Sequence, residues 1–178
     1  MKVLKIYLIL NMDLNEKKNQ FIQTWGILGG QWGINKTMAQ IHAILLINPN
    51  SLSTEEIMDE LKISRGNANM NLRSLIEWGL INKDLKAGER KEYFKAEKDI
   101  WKVASRIIKE RKKRELEPLN QFLSLLNQEN KSENEEEQHF LKIVNEIRLV
   151  TNQADKALDY FSNTEKNTLQ KLLIKMII

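Results

Sequence analysis

The 178 residues hold no cysteine, two histidines and two prolines. Without cysteine there is neither a disulfide framework nor a thiolate metal site, and the absence fits a reducing compartment, so a cytoplasmic location is expected. His42 and His139 are far apart and lack metal-ligand spacing, which leaves no histidine metal site and no candidate nucleophile with its base. His42 lies beside the apolar face of its helix and reads as a satisfied, partly buried histidine. Paired acids such as Glu55 and Glu56 fall at a helix start, where they complement the dipole. The chain is therefore read as a non-enzyme, with no cofactor expected. No apolar run is long enough to cross a membrane, and no membrane partner is expected. The opening MKVLKIYLIL is apolar but short and lacks a small-residue cleavage site, so it is not read as a secretory signal. It reads instead as an upstream extension or a strand-like arm ahead of a more typical soluble beginning at Met12.

Hydrophobic residues make up 42% and charged residues 29%, a balance that excludes a disordered chain and suits one ordinary core with helical extensions. The formal net charge of +4 is unevenly distributed: residues 62–114 hold 16 Lys and Arg against 7 Asp and Glu. The remainder is net acidic, so one continuous third of the chain is electropositive, as a nucleic-acid partner requires.

Apolar spacing predicts a helix over residues 13–30 with Leu14, Phe21, Ile22, Trp25 and Leu28 near one face, ending at Gly29 and Gly30. A second helix follows from about Asn35, with Ile34, Met38, Ile41, Leu45 and Leu46 in helical register, and stops before Pro49. Ser53 followed by Glu56 forms a capping box that starts a helix from Thr54 to Leu61. After the turn KIS, RGNANMNLRSLIEW predicts another helix, closed by Gly79. LINKDL and RKEYFKA then read as two short strands joined by a turn at Gly88, a β-hairpin. A long helix is expected from Lys98 to about Leu126, carrying Ile100, Val103, Ala104, Ile107, Ile108, Leu119, Phe122 and Leu126, with Pro118 kinking or interrupting it. NQENKSENEEEQ has no apolar residue and reads as a solvated linker. Beyond it Phe140, Val144, Ile147, Thr151, Ala154, Leu158 and Phe161 alternate steps of four and three, the spacing of a coiled-coil seam that wants a partner helix. The apolar tail TEKNTLQKLLIKMII should also dock.

Helix, turn, helix and hairpin within about 45 residues is the order of a winged helix-turn-helix. The expected fold is mostly α with a small β-hairpin wing and helical dimerisation arms. Residues 1–33 form an N-terminal segment and helix expected in a dimer interface, and 34–97 the winged helix-turn-helix domain. A connecting helix over 98–127, an acidic polar linker over 128–137 and a helical dimerisation region over 138–178 complete the layout. On a helical wheel Ala68, Leu72, Leu75 and Ile76 form the buried side of the second short helix, leaving Gly66, Asn67, Asn69, Met70 and Arg73 toward the other side. Asn can pair with adenine and Arg with guanine, so Arg65, Asn67, Asn69, Met70 and Arg73 are expected at or near bases, while Gly66, following Ser64 at the helix start, lets the backbone N–H groups approach phosphate. The plainer alternative is that Asn67, Asn69 and Asn71 are surface polar groups, but three Asn and a Gly weaken an exposed helix, and DNA contact accounts for them. Lys86, Arg90 and Lys91 lie at or beside the hairpin turn, where they either contact DNA or form an ordinary charged tip. KERKKRELEP is a second basic run, read as a phosphate contact or a solvated helix face.

WGINKTMAQIHAILLI, LSTEEIMDELKISRGNANMNLRSLIEWGLI and GERKEYFKAEKDIWKV, in that order over about residues 25–115, resemble the GbsR branch of MarR-like transcriptional regulators. The resemblance implies a homodimer with intertwined terminal helices, each subunit presenting one recognition helix to half of a two-fold symmetric operator in double-stranded DNA, with repression as the expected outcome. It also implies a small-molecule effector of unassigned identity, since members of the family control compatible-solute genes and some are similar to choline sensors. A quaternary ammonium would need an aromatic cage, for which Trp25, Trp32, Trp78, Trp101, Tyr93 and Phe94 are available, although core packing accounts for Trp78 and Trp101. Two other readings stay open on sequence: a winged-helix module that binds RNA, and one that binds protein through its coiled-coil arm.

Overall fold

The computed structural model describes residues 12–31, 33–126 and 134–164, and the chain divides into two units, residues 1–98 and 99–178. The apolar segments at the two ends, most of the polar linker and Trp32 lie outside the described residues.

In the first unit, helix α1 (Leu14–Gln31) packs along α2 (Lys36–Ile47). Ile22 is buried and Phe21, Trp25 and Leu28 are half-buried, as the apolar spacing predicts, but Leu14 is exposed. The glycine pair does not end α1. Gly29 lies inside it, where a Cβ would come within 2.5 Å of the Ala39 Cβ, so its missing side chain is what lets α2 approach. The Asn35 side chain caps α2, accepting from the Thr37 N–H at 2.8 Å, and Pro49 follows its end. Lys98 reaches back to the other end: its Nζ donates to the carbonyls of Leu45 and Leu46 at 2.7 and 2.9 Å. These are carbonyls that a helix terminus leaves without partners. From Met38 to Leu45 every residue of α2 is buried, so this helix is the centre of the unit. His42 is among them at 2% exposure, deeper than its spacing suggested, and its Nε2 has no hydrogen-bond partner among the described residues.

Helix α3 (Thr54–Leu61) starts at the expected capping box: the Ser53 hydroxyl accepts from the Glu56 N–H, and the Glu56 carboxylate accepts from the Ser53 N–H. A left-handed Lys62 turns the chain into α4 (Arg65–Glu77). That helix ends as Gly79 predicts, with φ +68°. The Gly79 N–H bonds the Ile76 carbonyl and the Leu80 N–H bonds the Leu75 carbonyl, a Schellman motif in which buried Leu75 and Leu80 provide the apolar closure. Strands β2 (Ile81–Asp84) and β3 (Tyr93–Ala96) form the antiparallel wing, whose connecting turn contains Gly88 at φ +81°. A strand that periodicity does not reveal, β1 (Leu52–Ser53), pairs with β3 on its other side, giving the order β1-β3-β2. The unit is a winged helix-turn-helix, and the chain as a whole is mostly α with this small sheet.

In the second unit, α5 (Ile100–Arg111) is capped by Asp99 and continues through a π-helical turn, Lys112–Leu116, into α6 (Glu117–Leu126). The expected interruption therefore takes the form of one wide turn just ahead of Pro118, in which the Glu117 N–H bonds the Lys112 carbonyl five residues back. The widening makes room for a ring that clashes with the carbonyl four residues before it in a regular helix. The apolar face differs from the expected one at four positions. Ile100, Leu119 and Phe122 are exposed, and Leu123, passed over by the sequence pattern, is buried with Val103. Helix α7 (Glu135–Asn163) is a single long element capped by Asn134, so Glu135, Glu136 and Glu137 form its first turn and not a linker. Lys112, from the π turn, joins it to the preceding helices through Asp155 and Asp159, at 3.2 and 2.6 Å.

Candidate nucleic-acid interface

Helix α4 separates into two faces. Ala68, Leu72 and Leu75 are buried as the wheel predicts, Ile76 is half-buried, and Asn71 joins the buried side at 2% exposure. Asn71 is thus not a surface polar group. Its Nδ2 donates to both oxygens of Asn67, the backbone carbonyl at 2.8 Å and Oδ1 at 2.7 Å. On the outer face Gly66, Asn69, Met70 and Arg73 line one shallow strip, which Ser74 and Glu77 extend toward the helix end. Met70 is 57% exposed and nothing lies within 4 Å of where a Gly66 Cβ would stand.

The remaining candidates at the helix start have partners of their own. The Ser64 hydroxyl accepts from the Asn67 N–H at 3.3 Å as the cap of α4. Arg65 donates to Glu55 on α3 at 2.8 Å, an exposed ion pair that spacing along α4 does not reveal. The Glu55 carboxyl is held below the usual carboxylate range by its backbone N–H first and by the Arg65 guanidinium second, with Lys91 of the wing adding to the effect. Glu56 is lowered by its capping bonds to Ser53 and, more weakly, by Lys86 and Lys91. The electrostatic field of the wing thus extends to the start of α3.

In the wing, the Lys86 Nζ lies 3.6 Å from the centre of the Tyr93 ring, a cation–π contact, and the Tyr93 hydroxyl donates to Glu89. That bond pushes the Tyr93 hydroxyl up to about 12. Lys83 pairs with Glu92, and Lys95 with Asp84 at 2.9 Å. Arg90 and Lys91 are exposed and, with Arg73, make no ion pair or hydrogen bond among the described residues. Leu85, expected inside a strand, instead stands beyond β2 at 94% exposure.

The second basic run is largely engaged within its own unit. Arg111 bonds Glu115 at 2.9 Å, Arg114 approaches Glu110 at 3.7 Å, and Lys112 holds the two aspartates of α7. Of the seam on α7, Val144 is buried and Thr151, Leu158 and Phe161 are half-buried, whereas Phe140, Ile147 and Ala154 are exposed. Phe161 packs on Trp101 with ring centres 6.3 Å apart. Of the other aromatics considered for a cage, Trp78 and Phe94 are core residues, and Trp25 stacks on Phe21. Among the described residues no helix is long and apolar enough to cross a membrane, and no group of three metal-ligating side chains gathers.

No family profile matches the sequence, and no curated protein matches it significantly. Among solved structures, a MepR variant of S. aureus bound to an oligodeoxyribonucleotide aligns at TM-score 0.38 and 16% identity over 77% of this chain and 92% of that one. A transcriptional regulator aligns at TM-score 0.62 and 18% identity, over 82% of this chain and 95% of that one, and the likeness is one of fold.

Proposed function

We propose that the chain is a transcriptional regulator that reads double-stranded DNA with α4 and the wing, and that it represses as a homodimer bound to a palindromic operator. The observation that carries this reading is the outer strip of α4. A helix that exposes Gly66, Met70 and Arg73, the last without a partner among the described residues, and leaves Asn69 half-exposed beside them sacrifices helix propensity without burying apolar area; Gly66, Asn69, Met70 and Arg73 suit phosphate approach, adenine, the thymine methyl and guanine respectively. Arg90 and Lys91 supply backbone contact from the wing. Ser64 and Arg65 flank the N-terminus of α4, where N–H groups favour phosphate, and Lys86 supports the wing through Tyr93.

Dimerisation through the second unit is supported by its exposed apolar residues. Phe122, Leu125, Phe140, Ile147 and Val150 are each more than 40% exposed, a surface that a second copy would cover. The test is selection of bound duplexes from a random library, followed by titration of the winner at two salt concentrations, with the mass of the complex measured. A palindromic motif bound by two chains, with affinity falling by about 0.9 log units per log unit of salt for each phosphate contacted, is the expected result. Placing that motif in a promoter should reduce expression when the protein is present. Enrichment of no motif would overturn the reading.

A further inference from the structure

We infer that Asn71, a buried residue of α4 that cannot itself reach DNA, determines which base Asn67 accepts. The inference rests on the DNA-reading function proposed above. One nitrogen, Asn71 Nδ2, lies 2.8 Å from the Asn67 backbone carbonyl and 2.7 Å from Asn67 Oδ1. A single donor can meet both oxygens of one residue only when the side-chain carbonyl is folded back beside the backbone carbonyl, against the helix. The Asn67 amide is thereby fixed with its oxygen inward, and its Nδ2 is left as the end without a hydrogen bond among the described residues. Asn71 is itself locked, at 2% exposure beside Ala68, Leu72 and Leu75.

This changes the chemistry that Asn67 offers. Pairing with adenine needs an amide oxygen to accept from N6 and an amide nitrogen to donate to N7. With Oδ1 held inward, Asn67 is a donor only: it can still reach the N7 of either purine but cannot accept from adenine N6, so the bidentate adenine pair is lost and guanine, with N7 and O6, or thymine, with O4, fits it better. Asn69, two residues along the helix and without a comparable restraint among the described residues, keeps both ends of its amide. Asn71 is therefore a positioning residue, and the two half-buried asparagines Asn67 and Asn69 would read different bases for a reason that lies in the core.

The test compares base preferences of the wild-type chain with those of Asn71→Leu, which keeps the branched side-chain skeleton and removes the donor, by selection from a random duplex library. In the wild type, one position of the motif is expected to favour guanine or thymine over adenine, which offers only its N7 to a donor. In Asn71→Leu that discrimination should fall roughly tenfold, with the other positions and the affinity for arbitrary DNA unchanged. The double variant with Asn67→Ala should show no loss beyond Asn67→Ala alone. If Asn71→Leu does not fold by circular dichroism, Asn71→Ala carries the same expectation. A folded Asn71 variant with the wild-type preference at every position overturns the inference and leaves the DNA-reading function standing. A wild type that enriches no motif overturns both.

Discussion

Two basic stretches that look alike in sequence have opposite circumstances in the structure. In the first unit Arg73, Arg90 and Lys91 stand in solvent with no ion pair among the described residues. In the second, Arg111, Lys112 and Arg114 are each within ion-pair distance of an acid. The difference lies in where acids fall. Glu110 and Glu115 sit one turn from Arg114 and Arg111 on a continuous helix, and α7 brings Asp155 and Asp159 to Lys112, whereas the outer strip of α4 meets no acid before Glu77. Net charge over a block counts cations and says nothing of which are available. Availability is set by helical phase and by the neighbouring element, and it decides which cations can release counterions from a phosphate backbone.

The largest contrast between the units should appear on acidification. Burial first, and Lys98 second, lower the His42 imidazole from 6.5 to about 4 in the folded chain. The unfolded chain therefore binds a proton at higher pH than the folded one. Stability from the neutral, buried ring is complete above pH 6.5 and is lost as pH falls toward 4, by up to about 3 kcal/mol. Urea unfolding of the wild type and of His42→Leu across this range should show a steeper decline in the wild type. Parallel profiles would mean that burial does not hinder protonation of the ring, which would then take up its proton equally in the folded and unfolded chains. Next in size is the direct comparison of cations. Arg73→Ala should weaken specific binding by about 2 kcal/mol, roughly thirtyfold, with the melting temperature unchanged. Lys112→Ala should do the reverse, lowering stability by about 1 kcal/mol through the unrelieved Asp155 and Asp159 while leaving DNA affinity nearly intact. Equal effects of the two substitutions on binding would erase the distinction between free and engaged cations.

The local signals were the legible ones. The capping box at Ser53, the C-terminal glycine at Gly79 and the wing turn at Gly88 each act within a few residues, and each lies where the pattern puts it. The outward placing of Gly66, Met70 and Arg73 followed from helical phase alone. What could not be read depends on a second element. Gly29 looks like a helix end until Ala39 is brought against it. Arg65 looks free until α3 places Glu55 beside it, and Lys86 looks like a tip residue until the hairpin register lays it on Tyr93. Strand β1 is too short for any period to show, and the choice of Leu123 over Phe122 as the buried residue depends on the wide turn that shifts the phase of α6. Asn71 was missed because polar residues are assigned to the surface by default, whereas its partner lies one helical turn back on its own helix.

Gly66 separates function from folding more finely. A Cβ there meets nothing within 4 Å in the free protein, so Gly66→Ala should raise stability by about 0.5 kcal/mol through reduced freedom of the unfolded chain. If the glycine serves close approach of the helix start to phosphate, the same substitution should weaken DNA binding severalfold. A variant that is both more stable and binds as well as wild type would remove Gly66 from the interface.

The smallest effect tests whether the ion pair at the start of α4 behaves like those of the second unit. Arg65 and Glu55 are 62% and 38% exposed, so the pair contributes less than about 1 kcal/mol and is open to exchange. If α4 binds DNA as proposed, a phosphate would offer Arg65 a competing anion, and Glu55, beside Arg65 and near Lys91, would oppose that exchange. Glu55→Gln should therefore tighten binding by about threefold at low salt with little change in melting temperature, and the gain should shrink as salt screens the exposed charges. Were the gain absent, Arg65 would keep Glu55 in the complex and belong with Lys112 among the structural cations, leaving base and phosphate contact to Arg73 and the wing.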